Sequence, residues 1–212
     1  MEKQEFDAVV LCNGSFPEHN VALRVLHGAR YLCCCDGAAQ QCAARGIVPD
    51  AVVGDGDSLP PALRQRFAGV LHIVGEQEYN DMTKATRFCM ERGARRIAYV
   101  GATGLREDHT LGNISLLAYY RREFGIEVAM FTDHGCFVAA GGRTVFGSFE
   151  GQQVSIFNMG CSKIESEGLR WPCYAYRELW QGTLNEATGP QFVLDGDGGY
   201  IVYQTYEAKV VH

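Results

Sequence analysis

Aspartate is the residue type that recurs wherever this chain could do chemistry. Asp36 follows the apolar run Tyr31 to Cys35, and Gly54-Asp55-Gly56-Asp57-Ser58 follows Ala51 to Val53. Asn80-Asp81-Met82-Thr83-Lys84 closes the loop after Leu71 to Val74, and the stretch from Gly101 through Arg106, Asp108 and His109 follows Ile97 to Val100. Each short run reads as a buried strand. Four strands therefore deliver five aspartates to their carboxyl ends, the edge where open α/β sheets build their sites. Singly, these residues have plainer explanations: Asp81 and Asp108 stand where helix N-caps belong, and Asp36-Gly37 could be a turn. Together they pose an electrostatic problem. Two carboxylates about 4 Å apart repel by roughly 4 kcal/mol at an effective dielectric near 20, so a converging cluster calls for a cation. The donors are carboxylate oxygens without His or Cys at ligand spacing, which suits Mg²⁺ or Mn²⁺ rather than zinc. Because Mg²⁺ takes only one or two carboxylates and completes its shell with water and phosphate oxygens, a phosphate-bearing substrate is expected. Lys84 and Arg106 could reach phosphate oxygens, and the glycine-rich Gly101 to Gly104 segment ahead of a helix offers backbone N–H groups. His109 and Asn113 fall on one face of that helix.

Other chemistries lack their residues. There is no G-x-x-x-x-G-K-[ST], no G-x-G-x-x-G and no G-x-S-x-G, which removes the P-loop, the dinucleotide fingerprint and the serine-hydrolase elbow. The chain carries a formal charge of −6, and its 19 Lys and Arg never form a basic run, so neither nucleic acid nor an anionic membrane is expected as a partner. Nine cysteines are present, three of them consecutive at 33–35, without any C-x-x-C. They read as buried reduced thiols rather than a disulfide framework or a zinc ribbon. No stretch of eighteen apolar residues occurs, and the acidic opening Met1 to Glu5 leads into a strand-like run rather than a signal-peptide core. A cytoplasmic protein is expected.

The elements that must carry the aspartates come in two blocks. From Phe6 to about Thr132, apolar runs alternate with helix-like segments at 19–28, 38–45, 60–67, 82–92 and 109–123. The last two carry apolar stripes: Met82, Ala85, Phe88 and Cys89, then Leu111, Ile114, Leu117 and Ala118. Strand and helix in alternation imply an α/β domain with a parallel sheet covered on both faces. After about Asp133 the helical period ends, and β-branched or aromatic runs follow at 136–139, 144–149, 154–157, 191–194 and 200–206. Turn residues separate them, with Gly141-Gly142 and Asp195 to Gly199 reading as turns, so a smaller antiparallel β-sandwich is expected. The boundary is drawn between a domain over 1–135 and one over 136–212.

Taken in order, Asp36-Gly-Ala-Ala39, Gly54-Asp-Gly-Asp-Ser58, Asp81-Met-Thr-Lys84 and Gly101-Ala-Thr-Gly-Leu-Arg-Glu-Asp-His-Thr-Leu-Gly-Asn113 resemble the thiamine pyrophosphokinase family. The likeness is strong over about 8–125 and weaker in Gly168-Leu-Arg-Trp171 and Gly182-Thr-Leu-Asn185. It implies an α/β catalytic domain, a β-sandwich that binds thiamine and dimerises, and a homodimer with thiamine in a cleft between subunits. The implied reaction is Mg²⁺-dependent transfer of the pyrophosphoryl group of ATP to the thiamine hydroxyl, giving thiamine diphosphate and AMP. By motif, Asp55, Asp57 and Asp81 would be metal and catalytic carboxylates, with Asp108 also catalytic and Asp36 in support. Thr83, Lys84, Arg106, His109 and Asn113 would serve the nucleotide, and Gln77, Trp171 and Asn185 thiamine. The chain departs from the family pattern at Gly56, where phenylalanine is usual, at Ala38, at Leu105 and Glu107, and at Leu184, where serine commonly precedes the asparagine. Two further readings stay open: a related Mg²⁺-dependent diphosphotransferase or nucleotide phosphohydrolase acting on another substrate, and a non-catalytic thiamine or nucleotide sensor.

Overall fold

A computed structural model describes residues 5–208, so the acidic opening Met1–Gln4 lies outside the described residues. The described chain forms two compact units, one made of Glu5–Leu116 with Ile126–Asp133, the other of Leu117–Gly125 with residues 134–208.

The first unit holds six strands: β1 (Ala8–Leu11), β2 (Leu32–Cys35), β3 (Ala51–Gly54), β4 (Leu71–Ile73), β5 (Arg96–Val100) and β6 (Glu127–Phe131). They lie in the order β4-β3-β2-β1-β5-β6, and every pairing is parallel, with Val10 opposite Cys33 on one side and Tyr99 on the other. β1, β2 and β3 are buried at every position, as strands covered on both faces must be. The order reverses at β1, whose partners are β2 and β5, and such a switch point opens a crevice at the carboxyl ends of the strands.

Helices α1 (Asn20–His27), α2 (Ala39–Arg45), α3 (Pro61–Arg66), α4 (Asp81–Glu91) and α5 (Glu107–Tyr119) connect them. α4 buries its expected stripe, and it also buries Thr83, Lys84 and Thr86, because the helix packs against β1, β2 and β3 at once. Thr86 is satisfied by the Met82 carbonyl and the Tyr99 hydroxyl. α5 differs from its expected stripe: Leu117 and Ala118 are buried, but Leu111 stays exposed. The helix then loosens into a π-helical turn, Tyr120–Phe124, that ends at Gly125 in the left-handed region.

In the second unit two expected pairs of strands are single long ones, β7 (Gly135–Gly147) and β11 (Gln191–Ala208), joined antiparallel along their length. The glycine pairs that read as turns are a bulge instead. Gly196 pairs with Gly142 and Gly199 with Gly141, so Asp197 and Gly198 loop out. The Asp197 carboxylate accepts the Ser162 and Lys163 N–H groups, which gives the looped-out residue a partner. Bulges bend strands. Beyond the bend β11 changes partners, pairing with β9 (Ile164–Glu167) before it and β8 (Gln152–Asn158) after it. Phe146, Phe192 and Leu194 from one arm thereby share a core with Ala140, Tyr200 and Val202 from the other. The two-residue strand β10 (Asn185–Glu186) completes the edge beside β8.

Candidate active site

β2 ends at Cys35, and Asp36 begins the 3₁₀ turn that follows it, 1% exposed. Its carboxylate accepts the Gly37 N–H at 2.5 Å and the Gly56 N–H at 2.8 Å. Gly56 reaches it only because its backbone lies at φ 82, in the left-handed region, and a Cβ there would stand 2.8 Å from the Ile73 side chain. The phenylalanine usual in the family pattern would be strained in this conformation. The loop after β3 is held from the other side by Arg64 of α3, which donates Nη2 to the Gly56 carbonyl at 2.5 Å and Nε to the Leu59 carbonyl at 3.1 Å. Asp55 accepts the Asp57 N–H at 3.0 Å, while Asp57 itself points to solvent.

α4 supplies the next carboxylate. Its N-cap is Asn80, whose Oδ1 accepts the Thr83 N–H at 2.9 Å and the Thr83 hydroxyl at 2.8 Å. Asp81 is therefore not the cap its position suggested; it occupies the first helical position with its carboxylate free of that duty. One turn on, the ammonium of Lys84, with a side chain 3% exposed, sits 3.5 Å from Asp81.

These groups titrate as a set. Burial raises Asp36, against the pull of its two N–H donors, and the neighbouring Asp55 adds to the rise. Burial likewise raises Asp81, and Asp36 and Asp55 push it further than Lys84 pulls it back. Asp55 is lowered, first by the Asp57 N–H, then by Gln77 and Lys84 and by a hydrogen bond from Asp36. Asp36, Asp55, Gln77, Asp81 and Lys84 are brought together, as expected from the strand ends. Among the described residues no three His, Cys, Asp or Glu side chains close into a cage that could hold a metal unaided. Repelling, hydrogen-bonded carboxylates without a cage fit a hard cation that takes one or two protein oxygens and draws the rest of its shell from phosphates and water.

Beside this set lies a cavity of about 440 Å³ at the switch point, lined by Cys12 to Gly14 after β1, by Asn80 to Met82, and by Ala102, Thr103, Arg106, His109 and Asn113. Its rim is tight: Gly14 donates to the Gly101 carbonyl at 2.6 Å and Ser15 to that of Thr103 at 2.8 Å, and a Cβ on Gly14 would meet the Thr103 oxygen at 2.4 Å. Asn113 donates to the Ala102 carbonyl and accepts from Asn80, which ties α5 to both loops. Asp108 is not a helix cap either. It is exposed and gripped at both oxygens by Arg106, at 3.1 and 2.6 Å, and that guanidinium holds its carboxyl below the usual range. Asp108 and Asp57 stand outside the coupled set. Thr83 is buried with its hydroxyl committed to Asn80.

The residues assigned to thiamine in the second unit behave differently from each other. Trp171 is 52% exposed, and the Arg170 guanidinium lies 5.1 Å from its ring centre. Asn185 is 4% exposed and bonded to Trp171 at both main-chain groups. Sequence reasoning missed Asn80 and Arg64; a cap three residues ahead of a threonine was legible for the first, and nothing in the sequence marks the second.

Comparison with known proteins matches residues 22–130 to the family model described as thiamin pyrophosphokinase, catalytic domain, and residues 135–203 to that described as thiamin pyrophosphokinase, substrate-binding domain. Thiamine pyrophosphokinase of Bacillus subtilis (strain 168) is 38% identical over 76 residues, a stretch spanning 34% of this chain and 36% of that relative's length. Among solved structures, the Bacillus subtilis thiamine pyrophosphokinase superposes with a TM-score of 0.75 at 18% identity, over 94% of this chain and 99% of that one. The Geobacillus thermodenitrificans protein gives 0.76 at 21% identity over 96% and 99%, and the yeast enzyme 0.73 at 13% over 96% and 87%. At these identities the structures speak for the fold.

Proposed function

The chain belongs to the thiamin pyrophosphokinase family, and from that premise we propose that it transfers the pyrophosphoryl group of ATP to the hydroxyl of thiamine, releasing AMP and thiamine diphosphate with Mg²⁺ as the metal. The observation that carries the proposal is the coupled set of Asp36, Asp55 and Asp81 around a buried Lys84, at the mouth of a cavity on the switch point of the parallel sheet. Mn²⁺ would serve the same donors. Asp55, Asp57 and Asp81 would offer the carboxylate oxygens that hold the metal, which would supply charge neutralisation to the polyphosphate.

Pyrophosphoryl transfer asks the protein chiefly for positioning and charge neutralisation. Lys84, fixed by α4, and Arg106, released from Asp108, bind phosphate oxygens; His109, Asn113, Thr83 and Asp36 complete the nucleotide side, the last two by holding Asn80 and the Gly56 loop. Asp81 accepts the hydrogen bond of the attacking hydroxyl. Burial and the charges of Asp36 and Asp55 make it a stronger proton acceptor than an ordinary aspartate, whereas Asp108 is exposed and stands outside that set. The share of that proton transfer is modest, because a loose transition state leaves the proton in place until late. Gln77 and Trp171 are assigned to thiamine. An indole face could hold its flat, cationic body with roughly 0.5–2 kcal/mol.

The buried state of all nine free cysteines suits the reducing cytoplasm, and among the described residues no helix is long and apolar enough to cross a membrane. A homodimer with the active site near the subunit interface completes the proposal. The test mixes purified protein, ATP, Mg²⁺ and thiamine. AMP and thiamine diphosphate forming in equal amounts, and neither forming with Asp57→Ala, supports it. AMP or ADP released without thiamine would favour a phosphohydrolase, and ATP binding without turnover a sensor.

A further inference from the structure

The Asn185 side chain carries four hydrogen-bonding positions, two lone pairs on Oδ1 and two hydrogens on Nδ2. Oδ1 accepts the Trp171 N–H at 3.2 Å and the Glu186 N–H at 2.9 Å, and Nδ2 donates to the Trp171 carbonyl at 2.8 Å. Three of the four positions are thus spent on main-chain groups, and the residue is only 4% exposed. The arrangement continues a ladder: Leu169 bridges Ala187, Arg170 donates to the Glu186 carbonyl at 2.8 Å, and the Asn185 amide then stands in for the next main-chain pair. Leu184, at φ 66 the one non-glycine residue in the left-handed region among those described, turns the chain at that point. Arg170 is braced by Glu186 at 3.3 Å and lies over the Trp171 ring.

We propose that Asn185 is a positioning residue that fixes the Trp171 main chain, and through it the indole, without touching thiamine. The inference rests on the assignment of Trp171 to the thiamine site. It differs from a contact role in what happens when both residues change. Asn185 bonds only the main chain of Trp171, so Trp171→Ala leaves those bonds intact and gives a clean cycle.

The experiment measures KM for thiamine, kcat and thermal unfolding in Trp171→Ala, Asn185→Ala and the double variant. Each single change is expected to raise KM for thiamine about tenfold with kcat within about twofold, and the double variant to match Trp171→Ala in KM, while the losses in melting temperature add. KM effects that multiply to about a hundredfold would overturn the proposal in favour of direct contact. If Trp171→Ala leaves KM unchanged, the thiamine assignment fails. The positioning claim is then decided by fluorescence with Trp171 as the sole tryptophan, in a Trp180→Phe background. There Asn185→Ala is expected to shift the emission to the red and increase quenching by acrylamide, and unchanged emission overturns the claim. Asn185→Asp, which keeps the acceptor oxygen and loses both donors, takes the place of Asn185→Ala in every arm if the alanine variant does not fold.

Discussion

Replacing Lys84 by methionine probes the electrostatic core of the site without touching its backbone. The Lys84 ammonium stands 3.5 Å from an Asp81 oxygen, a gross attraction of about 5 kcal/mol at an effective dielectric near 20. Part of that is offset by the desolvation of the ammonium, which methionine does not suffer. What methionine cannot offset is the field it leaves behind: Asp81, already raised by burial and by Asp36 and Asp55, loses the Lys84 ammonium that lowers it. The expected loss at pH 7.5 is about 2–3 kcal/mol, below the usual figure for breaking a buried pair because Asp81 is partly exposed and can take up a proton. For a chain of this size that is a fall of roughly 5–10 °C in melting temperature. Protonation supplies the internal control. As pH falls and the Asp81 carboxyl of the variant neutralises, the deficit against the parent should shrink to less than half. The assay is thermal unfolding in EDTA at several pH values. A deficit that is absent, or that stays constant with pH, would contradict a compensating role for Lys84 among the carboxylates.

Asp81→Asn should do the reverse to stability while stopping turnover. Because the folded-state pKa of Asp81 is raised, its protonated form favours the native state; that contribution is full below the unfolded value and is lost as pH rises through the folded one. Fixing the neutral state should therefore leave the melting temperature unchanged near pH 3.5 and raise it increasingly toward pH 7, by under about 1 kcal/mol given an exposed fraction of 38%. Differential scanning calorimetry of the metal-free protein checks the sign. Arg64→Ala removes two donors from the loop that carries Asp55 and Asp57. It should lower kcat roughly tenfold through misplacement, with faster amide exchange confined to residues 54–59. Leu184→Gly relieves a left-handed leucine and should stabilise the protein by about 1 kcal/mol in denaturant titration.

The α/β unit was legible because its signals are local. Strand runs and helix stripes have fixed periods, and parallel strands send their following loops to one edge, so the meeting of Asp36, Asp55, Asp81 and Lys84 follows from where each strand stops. Most of what escaped is set by partners distant in sequence, the Asn80 cap being the local exception. Gly141-Gly142 and Asp195 to Gly199 have turn composition, and the same residues serve a bulge once two strands bend together. Leu111 fits the helical stripe, but α5 leaves it exposed. Asn80 takes the cap that Asp81 or its neighbours could equally have filled, and Thr83 is drawn into the same cap. Asn185 reads as a polar residue that could meet a ligand. Only the structure reveals that its amide is spent on the Trp171 main chain.

In the proposed reaction the carboxylates secure a divalent ion only together with a polyphosphate. Electron paramagnetic resonance of Mn²⁺ titrated into the protein, with and without a non-hydrolysable ATP analogue, tests this directly. Binding should be at least about tenfold tighter with the analogue than without it, and Asp55→Asn or Asp81→Asn should remove most of that gain. Tight Mn²⁺ binding in the absence of nucleotide, or a ternary complex indifferent to both substitutions, would contradict it.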